Sequence, residues 1–177
     1  MDKKELRRMI REKKRAMTQQ EISEASERLF HLFIKTPQYQ QAKTIYGYLP
    51  YNQEVRTVPI LERAIADGKR VAVPKIFGDE MKFIYLDDLN RVESGYSGIP
   101  EPIDDGPEGD DPHALVLMPG LVFDREGHRI GYGGGFYDKF LRKEQEHPTV
   151  ALCYDFQIFD HIDTEEFDIP ADCVLWA

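Results

Sequence analysis

Cysteine, tryptophan and long apolar runs are all scarce in this 177-residue chain, which holds two, one and none of them. Cys153 and Cys173 form no CxxC pair, and no histidines stand at zinc-type spacing beside them, so neither a disulfide framework nor a zinc site is encoded. Both are expected as reduced, buried thiols. No stretch approaches the ~18 apolar residues of a membrane span, and MDKKELRRMI at the N-terminus carries charge where a signal peptide needs an apolar core. A cytoplasmic protein with no membrane partner is expected. Two phosphate-binding signatures are missing as well. Phe136 stands where the third glycine of G-x-G-x-x-G would follow Gly131 and Gly133, and G-x-x-x-x-G-K-[ST] has no match, so this is neither a Rossmann fingerprint nor a Walker A loop.

With 41% hydrophobic and 31% charged residues, the chain is long enough for one domain, residues 1–177, that buries roughly 70% of its unfolded surface. The net charge of −9 conceals an asymmetry: residues 1–15 hold eight Lys or Arg against three acids, a local +5, which leaves −14 for the rest. Leu6, Met9, Ile10, Ala16 and Met17 recur at helical spacing, flanked by Lys3, Arg7 and Lys14 and by Lys4, Arg8, Arg11 and Arg15. Such a basic amphipathic helix has three readings: a solvated helix face, a nucleic-acid contact, or a set of cations for a small polyanion such as a nucleoside triphosphate. The acidic remainder and the lack of aromatic interleaving weigh against nucleic acid.

Downstream, helices and strands alternate. Thr18 and Glu21 form a capping box that opens a second helix through about Ile34, with Pro37 closing it. Thr57 is expected to cap a third helix that Gly68 stops. Strand candidates are 44–50, 70–74, 82–86, 114–119, 149–154 and 173–177, several of them apolar at consecutive positions as in a sheet covered on both faces. The pattern predicts an α/β fold: a three-layer, open, largely parallel sheet with helices on both faces, Rossmann-like in architecture. Ligands in such sheets bind beyond the strands' carboxyl ends, which draws attention to the segments after 44–49, 70–73 and 114–118. Residues 87–112, with nine Asp or Glu against Arg91, read as a surface excursion.

The third of those segments contains GHRIGYGGGFYDKF (127–140), four glycines within five positions followed by the start of a helix. Glycine in a regular element costs about 1 kcal/mol relative to alanine, so the cluster serves either a structural turn or close approach of a ligand to backbone N–H groups. Its place after a buried strand and before a helix favours an anion, which the first helical N–H groups would face.

MPGLVFDREGHRIGYGGGFYDKFL (118–141), with KKELR (3–7), YLPYNQEVRT (48–57), SGIPEP (97–102) and FDIPADCVLW (167–176), resembles the 5-formyltetrahydrofolate cyclo-ligase family, also called 5,10-methenyltetrahydrofolate synthetases, in order and spacing over nearly the whole chain. The resemblance implies a ligase of one-carbon metabolism that uses ATP and Mg2+ to convert 5-formyltetrahydrofolate to the 5,10-methenyl cation, releasing ADP and phosphate. Phosphorylation of the formyl oxygen would supply a leaving group before N-10 attacks. A non-catalytic nucleotide- or folate-binding regulator on the same fold, and an RNA-associated protein using the basic helix, are the competing readings. A monomer or weak homo-oligomer is expected.

Carried over onto this sequence, the family's ATP contacts fall on Lys3, Lys4, Glu5, Leu6 and Arg7 and on Arg129, Ile130, Gly131, Tyr132, Gly133, Gly134, Gly135, Phe136 and Tyr137. Arg129 and Tyr137 are the expected catalytic pair. Folate would meet Leu49, Tyr51, Glu54 and the loop from Tyr132 through Gly133, Gly134 and Gly135 to Phe136, with the Glu54 carboxylate on the amidine-like edge of the pterin. Asp138 and Asp168 match the family's magnesium carboxylates. Phe136 replaces a common tyrosine, and YGGGF lacks the basic residue that several relatives carry inside the loop. The γ-phosphate cation is therefore expected to be Arg129, with Lys139, Lys75 and the N-terminal helix as alternatives.

Overall fold

The computed structural model describes residues 2–166 and 168–177. Its centre is a six-stranded sheet in the order β11-β9-β6-β1-β2-β3, built from β1 (Thr44–Tyr46), β2 (Arg70–Phe77), β3 (Glu80–Tyr85), β6 (Leu115–Met118), β9 (Thr149–Cys153) and β11 (Cys173–Trp176). Every pairing is parallel except the β2–β3 hairpin. All six strand candidates are present. Two small sheets lie outside: β4 (Val92–Ser94) with β5 (Pro100–Pro102), and β7 (Val122–Asp124) between β8 (Arg129–Ile130) and β10 (Ile158–Phe159). Their two- and three-residue strands are too short to show a period of two.

Alternation along the central strands divides the apolar side chains between two faces. Ile45, Leu115, Leu117, Val150 and Leu152 pack with α2 (Gln19–Ile34) and α4 (Val58–Ala66) through Leu29, Phe33, Ile60 and Leu61. Tyr46, Val116, Met118, Ala151 and Cys153 turn the other way, against Phe140 and Leu141 of α5 (Phe136–Lys143). Each fully buried Leu, Ile or Phe contributes about 1.5–3 kcal/mol. The basic helix α1 (Lys3–Arg15) packs elsewhere: Leu6, Met9 and Ile10 close onto Leu121, Val122 and Ile130 of the β7–β8 hairpin.

Three local expectations are corrected. Pro37 does not merely close α2; capped by Thr36, it opens the short helix α3 (Pro37–Gln41), because proline at a first helical position loses no hydrogen bond. Thr57 has helical φ/ψ and makes no capping bond; its hydroxyl instead donates to the Tyr48 carbonyl. Cys153 is buried, but Cys173 is only partly so.

Candidate active site

β1 leads through α4 to β2 on one side, and β6 leads through α5 to β9 on the other. The strand order therefore reverses between β1 and β6, and chain leaving their carboxyl ends diverges there. A cleft of about 650 Å³ opens at this point, with Tyr48 and Leu49 following β1, Pro119 and Leu121 following β6, and Pro74 and Ile76 from β2 in its walls.

α1 and the glycine loop form one side. The hydrophobic stripe that seats α1 on the β7–β8 hairpin turns its cations toward the cleft, where Lys3, Arg7, Arg11, Lys14 and Arg15 all reach the wall. Arg7 Nε donates to the Gly131 carbonyl at 2.9 Å, and Lys14 Nζ lies 3.4 Å from Tyr132 Oη. The helix thus holds the loop at two consecutive residues. Gly133 and Gly135 take φ of +110° and +69°, conformations that strain any residue with a Cβ, and Gly135 is the N-cap of α5 with no side-chain capping bond. The first N–H groups of α5 and its dipole are left for an anion in the loop.

The floor beneath the loop is charged. Arg129, 7% exposed at its side chain, directs Nη1 to the Pro119 carbonyl at 3.3 Å and Nη2 to Asp138 Oδ1 at 3.4 Å. Among the described residues its Nε is buried with no hydrogen-bond partner, and so is the hydroxyl of Tyr137, whose ring lies 5.7 Å from the guanidinium. Burial lowers the Arg129 pKa against the opposing pull of Asp138, and burial raises that of Tyr137. A buried donor without an acceptor costs about 1–3 kcal/mol, so these two donors are free to meet a water or a ligand oxygen that enters the cleft.

Asp138 Oδ1 also accepts the Ile169 N–H at 3.1 Å, which ties α5 to the segment carrying Asp168. That segment is fixed from behind: Ala171 N–H donates to the Gly127 carbonyl, and a Cβ at Gly127 would collide with the Ala171 carbonyl. Lys3 Nζ stands 3.8 Å from Asp168 and 3.6 Å from Glu165. Among the described residues no three His, Cys, Asp or Glu side chains gather as a metal-binding group. Two carboxylates lining one cleft nevertheless fit Mg2+, which usually takes one or two carboxylates and completes its octahedron with water and phosphate oxygens.

Glu54 occupies the opposite side. Its Oε1 accepts the Tyr51 N–H at 2.8 Å and its Oε2 accepts the Tyr132 hydroxyl at 3.0 Å. Burial raises its pKa, an effect that Lys14, the Tyr51 N–H and the Tyr132 hydroxyl oppose. Leu49 and Tyr51 line the wall beside it.

Of the expected site residues, Lys3, Arg7, Leu49, Tyr51, Glu54, Asp138, Asp168 and the whole run from Arg129 to Tyr137 line this cleft, whereas Lys4, Glu5 and Leu6 do not. Lys4 and Glu5 are exposed; Glu5 completes the capping box of α1 with Asp2, and Leu6 packs onto the hairpin. Two of the alternative cations also fall outside. Lys139 turns to Asp79, and Lys75 pairs with Asp105 at 2.8 Å. The excursion 87–112 is not only surface: Tyr96, Ser97, Ile99, Pro100 and Glu101 wall the cleft, with Ser97 at φ +54° and the Tyr96 ring edge-on to Phe136. Its acidic composition hid that role, although the Gly and Pro spacing of SGIPEP carried the resemblance. Lys14 was one member of a basic stripe, and only its burial sets it apart.

A doubly wound α/β fold with a basic helix and a glycine loop over its switch point defines the structural class of this protein. A model of the 5-formyltetrahydrofolate cyclo-ligase family matches residues 1–177, and the chain belongs to that family of ligases. It is 29% identical over 174 residues to 5-formyltetrahydrofolate cyclo-ligase of Escherichia coli K12, covering 94% of this chain and 96% of that one. To the Mus musculus cyclo-ligase it is 28% identical, covering 98% and 93%. Among solved structures, 5,10-methenyltetrahydrofolate synthetase of Aquifex aeolicus superposes with a TM-score of 0.85 at 28% identity over 99% of this chain and 90% of that one. The Mycoplasma pneumoniae synthetase gives 0.78 at 25% identity over 98% of both.

Proposed function

We propose that the protein cyclises 5-formyltetrahydrofolate to 5,10-methenyltetrahydrofolate with consumption of ATP and in the presence of Mg2+. Family membership supports the overall conversion. The observation that carries the use of ATP is the pair of buried donors, Arg129 Nε and the Tyr137 hydroxyl, that find no acceptor among the described residues and lie beneath a glycine loop that opens α5.

In this reading the triphosphate lies between α1 and the loop, against Lys3, Arg7 and the N–H groups from Gly133 to Tyr137. The formamide oxygen of the folate attacks the γ-phosphorus, the bond to the β-phosphate oxygen breaks, and ADP leaves. N-10 then attacks the formyl carbon and loses its proton, and phosphate departs with the former formyl oxygen. The product is the amidinium joining N-5 and N-10. Phosphoryl transfer spreads charge over the equatorial oxygens and asks the protein mainly for positioning and electrostatic stabilisation. Arg129 and Tyr137 supply donors that need no reorganisation when that charge develops. Glu54 accepts from the donor edge of the pterin and, with Leu49 and Tyr51, orients the formyl group toward the loop. Asp138 and Asp168 would hold Mg2+, which supplies charge neutralisation on the phosphate oxygens.

The test is a cyclisation assay with 5-formyltetrahydrofolate and magnesium ATP, following the near-ultraviolet absorbance of the methenyl product, with a no-ATP control and Asp138→Asn. ATP-dependent product from the wild type, reduced by about 10²-fold or more in the variant, is expected. No product from folded protein that binds both ligands would leave a non-catalytic nucleotide- and folate-binding protein.

A further inference from the structure

Lys14 is one of the few charged side chains buried in this protein, with a relative exposure of 6%. Among the described residues it forms no ion pair, and its one hydrogen-bond contact is the Tyr132 hydroxyl at 3.4 Å. That hydroxyl in turn donates to Glu54 Oε2 at 3.0 Å. Ammonium, phenol and carboxylate thus form a line from α1 across the glycine loop to the far wall of the cleft.

Burying an ammonium is unfavourable unless opposite charge is near, and the charges around Lys14 identify what it serves. Desolvation lowers its pKa, Arg11 of the same helix adds to the lowering, and Glu54 is the foremost group opposing it, with Cys153 of β9 behind. Besides Lys14, Glu54 bears on four phenols, those of Tyr48 after β1, Tyr137 of α5, Tyr154 after β9 and Tyr132 itself, while Arg11 of α1 lines the same cleft and bears on Tyr132. Among the described residues Lys14 is the group that most offsets the desolvation of this carboxylate.

We propose that Lys14 is a positioning residue that acts through Tyr132 to keep Glu54 ionised and aimed at the folate. The proposal rests on the functional reading above and goes beyond it by assigning the state of Glu54 to a helix that otherwise belongs to the triphosphate side. Lys3, Arg7 and Lys14 span about 16 Å of one helix. The same rigid element that meets phosphates near Asp168 therefore meets the folate acceptor through the loop.

The test measures equilibrium binding of 5-formyltetrahydrofolate, without turnover, as a function of pH for the wild type, Lys14→Met, Lys14→Arg, Tyr132→Phe and Glu54→Gln, with ATP binding measured alongside. Binding by the wild type should weaken as pH falls through a midpoint that Glu54→Gln abolishes. Lys14→Met should move that midpoint upward and weaken folate binding at neutral pH by about tenfold, with ATP binding changed less than twofold, and Lys14→Arg should recover part of the shift. Tyr132→Phe, altered at a ring that is 45% exposed, should shift the midpoint in the same direction without a folding defect. An unmoved midpoint in both Lys14→Met and Tyr132→Phe overturns the proposal. Loss of ATP affinity with unchanged folate affinity overturns it too and makes Lys14 a phosphate cation. A wild type that binds no folate overturns the functional reading itself, an outcome distinct from both.

Discussion

At the end of the cleft near α5, charges are held by direct pairing: Arg129 faces Asp138 at 3.4 Å, and Lys3 faces Asp168 and Glu165 within 4 Å. At the end near β1, Lys14 and Glu54 share only the hydroxyl of Tyr132, and burial pushes the pKa of each toward its neutral form. The difference fits the ligands proposed for each end. A triphosphate with Mg2+ brings both signs of charge, so cations and carboxylates already paired can exchange partners at little net electrostatic cost. The uncharged pterin edge brings only hydrogen-bond donors, and an acceptor for it is strongest when desolvated and not neutralised by a direct ion pair.

Removing the guanidinium should break the paired end most severely. Arg129→Met is expected to lower kcat by about 10²–10³-fold, the usual cost of losing a positioned donor to developing charge, and to leave the folate KM within a few-fold. Arg129→Lys should recover little, because an ammonium cannot reach the Pro119 carbonyl and Asp138 and still present a third donor to the cleft. Steady-state kinetics with each substrate varied separately checks both. A loss confined to the folate KM would place the transferred phosphate elsewhere.

The two ends were unequally legible in the sequence. Arg129, Asp138 and the glycines lie in one continuous segment, and their spacing carried the resemblance that assigned them. The central sheet was equally open, because strands such as Leu115–Met118 and Thr149–Cys153, buried at every position, are apolar at consecutive positions, Leu115 to Met118 and Val150 to Cys153. At the other end, Glu54 comes from the turn after β1, Tyr132 from the loop and Lys14 from α1, 78 residues separating the first pair. No local pattern reports such a meeting. Lys14 also sits in a helix whose other cations are mostly exposed or half-exposed, so periodicity could not single it out. The wall formed by Tyr96 to Glu101 was hidden for a related reason: its strands are three residues long and its surroundings acidic, features of a solvated excursion.

At the tyrosine-lined end, Glu54→Gln keeps the shape and one acceptor but removes the charge. Hydrogen bonds to charged groups contribute about 1.5–3 kcal/mol, so the KM for 5-formyltetrahydrofolate should rise by about 10–100-fold, while that for ATP stays within about twofold. Equal losses for the two substrates would mean that Glu54 supports the loop through Tyr132 more than it recognises the pterin.

The same substitution should change stability in the opposite direction, by a smaller amount. Because burial raises the Glu54 pKa above its ordinary 4.5, the folded protein binds this proton more tightly than the unfolded chain. The stability associated with the protonated form is fully present below about pH 4.5 and is lost as pH rises through the folded-state value. At neutral pH the wild type therefore carries an ionised carboxylate that disfavours the fold. Glu54→Gln, which mimics the protonated form, should raise Tm at pH 7 by no more than about 2 °C, the shift that less than about 1 kcal/mol produces in a chain of this length. The gain should vanish as the pH is lowered through about 4.5. Thermal unfolding of both proteins across that range separates this outcome from a general loosening of the loop, in which Glu54→Gln lowers Tm at every pH and Tyr132→Phe does the same.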